Sequence, residues 1–180
     1  MTNDSTSPLG AEPDCEALSR RLGEACLALG VRLTTAESCT GGGVASAITA
    51  IAGSSAYFET GYVTYANAAK QRLLGVSRAT LETHGAVSEE TVREMVVGAC
   101  RDSGAELGVA VSGVAGPAGG SPDKPVGTVW FAWGNPHHQR VQRHQLPGDR
   151  RRIRESAVAV ALSGLIESLA ESRPDNASPR

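Results

Sequence analysis

Aromatic residues make up only 4% of this 180-residue chain, so its core has to be assembled from Ala, Val and Leu, with close backbone approaches at some of its 21 glycines. That composition favours tight packing of helices on a sheet. No apolar run approaches the roughly 20 residues that span a bilayer, and Met1 to Pro13 has no basic segment followed by a hydrophobic one. A cytoplasmic location without a membrane partner is the resulting expectation. Charge of one sign is lacking too: a formal net charge of −2 gives no electrostatic basis for binding nucleic acid and leaves a small polar ligand. The four cysteines, Cys15, Cys26, Cys39 and Cys100, show no C-x-x-C spacing, which argues against a zinc knuckle or a disulfide framework and for free thiols. The four histidines, His84, His137, His138 and His144, form no H-E-x-x-H pattern, so no metal is expected.

What the chain does have is concentrated in Thr34-Thr35-Ala36-Glu37-Ser38-Cys39-Thr40-Gly41-Gly42-Gly43, where hydroxyls, a thiol, a carboxylate and three glycines crowd one junction. Val31 to Ala36 before it reads as a strand, and Val44 to Ile48 after it as a small-residue helix. The motif is then the turn at the carboxyl end of a strand, the edge where open α/β sheets bind ligands. A helix N-terminus there offers unpaired N–H groups to an anion. Ser38 is either a nucleophile or a helix cap; capping alone leaves the three glycines unexplained, since each costs about 1 kcal/mol in a helix.

The length suits one domain. Met1 to Pro13 and Ser172 to Arg180 are polar and aperiodic and are expected to be disordered tails, leaving residues 14–171 as the folded part. A first helix is capped by Asp14 and stopped by Gly30. Tyr57 to Tyr65 reads as a second strand, Asn67 as the cap of a helix to Leu74, and Ser77 as the cap of another. Ser88 with Glu89 and Glu90 opens a longer helix ending near Gly104. Leu107 to Val111 is continuous and apolar, as in a central strand, and empties into a second glycine-rich loop, Ser112 to Pro125. Gly127–Trp133 and His138–Leu146 form an antiparallel pair, and a last helix follows Gly148-Asp149-Arg150 to about Glu171. The fold class expected is α/β, with a mixed, mostly parallel sheet of about five strands between helices.

Six segments in this order, Glu37-Ser38-Cys39-Thr40-Gly41-Gly42, Gly61-Tyr62-Val63-Thr64-Tyr65, His84-Gly85-Ala86-Val87-Ser88, Gly113-Val114-Ala115-Gly116-Pro117, Lys124-Pro125-Val126-Gly127-Thr128-Val129 and Gly148-Asp149-Arg150, closely resemble the CinA C-terminal domain family. The resemblance spans nearly the whole folded part and points to the stand-alone form, since the two-domain members carry a further N-terminal domain. It implies the family's amidase activity: hydrolysis of the carboxamide of nicotinamide mononucleotide to nicotinate mononucleotide and ammonia, without metal or cofactor. It also implies a three-layer α/β/α fold and a homodimer or higher homo-oligomer. The catalytic Ser, Tyr and Lys of the family fall on Ser38, Tyr65 and Lys70. Substrate contacts fall on Thr40, Gly41 and Gly42 of the first loop, on Gly113, Ala115 and Gly116 of the second, and on Arg150, with the phosphate on either loop. Ala118 stands where other members often carry Asp or Gly, so a polar contact made there by those members is missing.

The residues support the same chemistry independently of the family. An amide is a poor electrophile, so Ser38 needs a base, and no histidine sits in a recognisable triad; a lysine of depressed pKa, or a tyrosinate beside it, can serve. Lys70 is one of only two lysines among 17 basic residues and follows the strand ending at Tyr65, which sets it apart from an ordinary solvated lysine. Cys39 is the rival nucleophile, because a helix N-terminus lowers a thiol pKa. Tyr62 competes with Tyr65 from the opposite face of the strand. Glu37 reads as a structural acceptor and His84 as a structural group at a bend. A non-catalytic nucleotide-binding or regulatory module is the alternative, since a fold can outlive its turnover.

Overall fold

The computed structural model describes residues 14–172. In chain order it contains α1 (Cys15–Leu29), β1 (Leu33–Glu37), α2 (Gly43–Thr49), β2 (Phe58–Val63), α3 (Asn67–Leu74), α4 (Arg78–His84), α5 (Glu89–Ser103), β3 (Leu107–Gly113), β4 (Thr128–Gly134), β5 (Gln139–Gln145) and α6 (Arg150–Glu171). The tail expected over Met1 to Pro13 lies outside the described residues, as does the second tail from residue 173; Ser172 is the C-cap of α6.

Local chemistry sets most boundaries. Asp14, Ser77, Ser88 and Asp149 each accept the N–H three residues on, caps that contribute about 1 kcal/mol apiece. Gly30, Gly75 and Gly104 stop α1, α3 and α5 in the left-handed conformation. Several expected boundaries differ by one or two residues, and two of these bear on the site. The cap of α3 is Ala66, with Asn67 already the first helical residue, because the extended backbone that a cap requires falls at Ala66. Strand β2 ends at Val63, two residues short of Tyr65, where the pairing with β1 runs out at Glu37↔Val63.

The sheet order is β2-β1-β3-β4-β5. β1 pairs parallel with β2 and β3, while β4 pairs antiparallel with β3 and β5, so four strands point one way and only β4 runs against them. Alternation along the strands builds two unlike faces. Leu33, Val109, Val111, Val129, Phe131 and Trp133 pack with α1, α2 and α6, where Leu22, Cys26, Ile48 and Leu162 close the larger core. The other face presents Ala36, Ala110 and Ala132 to Met95, Val96 and Ala99 of α5 and to Leu74 at the end of α3. This is the three-layer α/β/α arrangement.

Small residues let α5 and α3 come close. A Cβ on Gly98 of α5 would stand 1.9 Å from the carbonyl oxygen of Leu74, a contact that only backbone movement can relieve. The glycine is tolerated inside a helix because α3 crosses there. Register then gathers the site: Glu37 lies level with Val63 on one side and Val111 on the other, so the loops after β1, β2 and β3 leave from one edge. Gly98→Ala should lower unfolding free energy by about 1–3 kcal/mol, the range for overpacking, read as a lower urea midpoint. An unchanged midpoint would show that α3 is free to move away from α5.

Candidate active site

Beyond β1 the chain turns around the side chain of Glu37, which is fully buried. Its Oε2 accepts from the Thr40 hydroxyl at 2.6 Å and from the N–H groups of Gly42 and Val44 at 3.1 and 3.0 Å, while Oε1 accepts from the Ala45 N–H at 2.8 Å. The carboxylate therefore occupies the start of α2 that the sequence reading offered to a ligand anion. Gly41 and Gly42 adopt φ values of 60° and 96°, the left-handed conformation needed to close so tight a turn. Gly42 is the N-cap of α2. Ser38 is not a cap, and its hydroxyl is left for another partner.

That partner is Lys70. Its side chain enters from the second turn of α3 and is 1% exposed, unusual for lysine. Nζ donates to Thr64 O at 2.8 Å, to Ser38 Oγ at 3.0 Å and to Tyr65 O at 3.4 Å. Burial holds the Lys70 pKa below its ordinary value of 10.5, against a smaller opposing effect of Cys39. The Cys39 thiol is itself buried, which pushes its pKa up to about 11, so the rival nucleophile lacks the thiolate that would make it reactive.

Tyr65 is 59% exposed; its hydroxyl accepts a hydrogen bond from Arg150 Nη2 at 3.0 Å and, among the described residues, makes none to Ser38 or Lys70. Arg150 Nη1 donates to Gly116 O at 2.9 Å and so ties Tyr65 and the second glycine loop to the start of α6. Tyr62 points elsewhere: it bonds the Asp102 carboxylate, and burial together with that carboxylate pushes its pKa up to about 12.

Ser38, Tyr65, Lys70, Gly113, Ala115, Gly116 and Arg150 all line one cleft of about 320 Å³, with Ala118 also on its wall. Thr40, Gly41 and Gly42 do not line it. The Thr40 hydroxyl and the Gly42 N–H are spent on Glu37, and the Gly41 N–H donates to Ser38 O at 3.1 Å. A larger groove of about 470 Å³ lies between α1, α6 and the β4–β5 ribbon, lined by Arg21, Trp133 and His144, and contains neither Ser38 nor Lys70. The cleft with the chemistry is therefore not the roomiest one. Among the described residues no group of three His, Cys, Asp or Glu side chains is placed to hold a metal ion, and no helix is long and apolar enough to cross a membrane.

Two residues that the sequence reading passed over belong to this region. Ser112 lines the cleft and donates to Ala86 O at 2.7 Å, tying β3 to the segment after α4. Arg154 donates from Nε to Cys39 O and from Nη2 to Thr40 O, both at 3.1 Å. Its signal was present as the i, i+4 spacing from Arg150, which puts both side chains on one face of α6.

Fold and cleft together define a three-layer α/β/α protein with a serine held against a buried lysine at the carboxyl edge of its parallel strands. The model of the CinA C-terminal domain matches residues 15–169, and the chain belongs to that family. It is 56% identical to nicotinamide-nucleotide amidohydrolase PncC of Pseudomonas putida, over 83% of this chain and 94% of that protein. With the protein of the same name from Escherichia coli it shares 52% identity, over 82% of this chain and 90% of that one. A crystal structure of a competence-damaged protein (CinA) superfamily member from Klebsiella pneumoniae superposes with a TM-score of 0.85 at 44% identity, covering 88% of this chain and 99% of that one.

Glu37→Gln keeps the size of the side chain but leaves one acceptor oxygen where the turn supplies donors to two. Unfolding free energy should fall by about 2 kcal/mol or more, the cost of buried N–H groups left unpaired, as measured by guanidinium denaturation. Wild-type stability would mean that the turn holds without the carboxylate.

Proposed function

We propose that the chain hydrolyses the carboxamide of nicotinamide mononucleotide, giving nicotinate mononucleotide and ammonia in the recycling of pyridine nucleotides. Relatives of nearly the same length that carry the name nicotinamide-nucleotide amidohydrolase support the substrate. The single observation that carries the chemistry is the 3.0 Å contact between Lys70 Nζ and Ser38 Oγ in a buried setting.

In this reading Lys70 is the general base. As the neutral amine it takes the proton of Ser38 while Oγ attacks the amide carbon, and the carbonyl electrons move to oxygen. The proton passes to the amide nitrogen, ammonia departs, and an ester to Ser38 remains. Water, deprotonated by Lys70, then attacks the ester and releases the carboxylate and the serine. Tyr65, at the mouth of the cleft with its hydroxyl held by Arg150, assists the proton transfer to the leaving nitrogen. The start of α2 is filled by Glu37, so the phosphate goes to the second loop, on the backbone of Gly113, Ala115 and Gly116 with the Arg150 guanidinium beside it. Thr40, Gly41 and Gly42 serve the substrate indirectly by shaping the turn under Ser38. The active form is a cytoplasmic homodimer or higher oligomer.

Ser38→Ala should abolish ammonia release from nicotinamide mononucleotide while calorimetry still shows binding, because the nucleophile's oxygen contributes little to the ground state. Cys39→Ala should keep most of the rate. Normal turnover in Ser38→Ala would transfer the role to Cys39, and binding without turnover in the unaltered protein would favour a nucleotide-binding module.

The pH profile follows from the lowered Lys70 pKa. The base form is the deprotonated one, so kcat should rise with pH through a group titrating below 10.5 and level off above it. Lys70→Arg keeps the charge and cannot deprotonate, so it should lose about 10²–10⁴-fold in kcat, as Lys70→Ala does. Substantial activity in Lys70→Arg would reduce Lys70 to a fixed positive charge. Light scattering at micromolar concentration should give at least twice the 18.6 kDa chain mass, and a monomer would contradict the oligomer.

A further inference from the structure

Arg154 reaches from α6 to the turn that carries Ser38 and holds two of its carbonyls, those of Cys39 and Thr40, each at 3.1 Å. The peptides of this turn are trans, the sole cis bond among the described residues being Gly116–Pro117. A trans peptide is planar with C=O and N–H pointing opposite ways, so each carbonyl that is held fixes an N–H as well. Holding Cys39 O turns the Thr40 N–H away from Arg154. Holding Thr40 O aims the Gly41 N–H at Ser38 O, which it meets at 3.1 Å. That bond fixes a third plane, Ser38–Cys39, and with it the direction of the Cys39 N–H.

Apart from those of Cys39 and Thr40, the N–H groups of the turn are used. Ser38 N–H donates to Val111 O at 2.9 Å and Gly43 N–H to Thr40 O at 3.1 Å, while those of Gly42, Val44 and Ala45 go to Glu37. Among the described residues the N–H of Cys39 has no acceptor in another residue. Of the two unpaired N–H groups only that of Cys39 belongs to a residue lining the cleft beside Ser38, and a thiol is a weak donor, so the N–H is the better donor Cys39 has for a ligand oxygen.

We propose that Arg154 is a positioning residue: it holds the Ser38–Gly41 turn so that the Cys39 N–H donates to the carboxamide oxygen as Ser38 attacks and that oxygen becomes negative. This rests on the assignment of Ser38 as nucleophile made above and adds the group that stabilises the transition state. One rigid guanidinium plane serves two carbonyls, whereas an ammonium is a single point. A donor aimed at developing charge acts in the transition state and not on the bound substrate, so its loss appears in kcat.

The test compares the unaltered protein with Arg154→Ala and Arg154→Lys. Each is assayed for ammonia release from nicotinamide mononucleotide, for nicotinate mononucleotide binding, and for binding of pyridine-3-boronic acid. The boron of that probe takes up Ser38 Oγ and becomes a tetrahedral anion, with an oxygen where the carboxamide oxygen would be. Arg154→Ala should lose about 10²-fold in kcat, with KM and product affinity held within about twofold. Boronate affinity should fall with kcat, and added guanidinium should restore part of both. Loss confined to KM, or unchanged boronate affinity in a variant whose kcat has fallen, would overturn the proposal. If Arg154→Ala does not fold, Arg154→Lys decides: an intermediate loss with the same split supports the role, and wild-type kcat with wild-type boronate affinity refutes it. Should the unaltered protein release no ammonia, the amidase reading fails by itself, and the boronate comparison still decides for or against Arg154.

Discussion

Water and carboxylates are what keep a lysine amine protonated, and Lys70 is shielded from both: it is 1% exposed and bonds no carboxylate among the described residues. The partners of its Nζ are two main-chain carbonyls and one hydroxyl, all uncharged. A carboxylate in that cage would hold the proton in place. The carboxylate next to Ser38 in the chain, Glu37, is saturated instead by four donors of the turn that follows it. Separating that anion from the amine is the constraint that the rest of the site obeys.

The fold supplies that separation through its two unlike sheet faces. Large side chains on one face, Val111, Phe131 and Trp133 among them, anchor α6, from which Arg150 and Arg154 reach the cleft and the turn. Alanines on the other face let α5 lie close to the sheet, and Gly98 lets α3 lie close to α5, so the helix that carries Lys70 is seated against a rigid support. Ser38 comes from a strand end and Lys70 from a helix on the small-residue side. They meet because Glu37, Val63 and Val111 stand at one level and the loops after β1, β2 and β3 leave from that edge.

Much of this was legible in the sequence because it is local. Asp14, Ser77, Ser88 and Asp149 are cap residues whose bonds close within three positions, and Gly30, Gly75 and Gly104 end helices by their own conformation. The glycine-rich turn after β1 announced a site for the same reason. The uses of its parts were not legible. The three glycines invite an anion from outside, yet the anion they enclose is Glu37, and nothing in a one-dimensional pattern says where a carboxylate will turn. Arg154 is one of fifteen arginines, and its acceptors lie more than a hundred residues earlier, a pairing that periodicity does not encode. Tyr65 was placed by strand pattern, but the strand stops at Val63 and the side chain goes to Arg150.

The central claim, that burial makes Lys70 a base, is open to direct observation because the chain has only two lysines, Lys70 and Lys124. Lysine labelled with carbon-13 at Cε gives two signals by nuclear magnetic resonance, and Lys70→Arg assigns them. The account predicts that the Lys70 signal titrates clearly below 10.5 in the folded protein and moves up toward 10.5 on denaturation. A Lys70 signal that titrates at or above that value in the folded protein would contradict it.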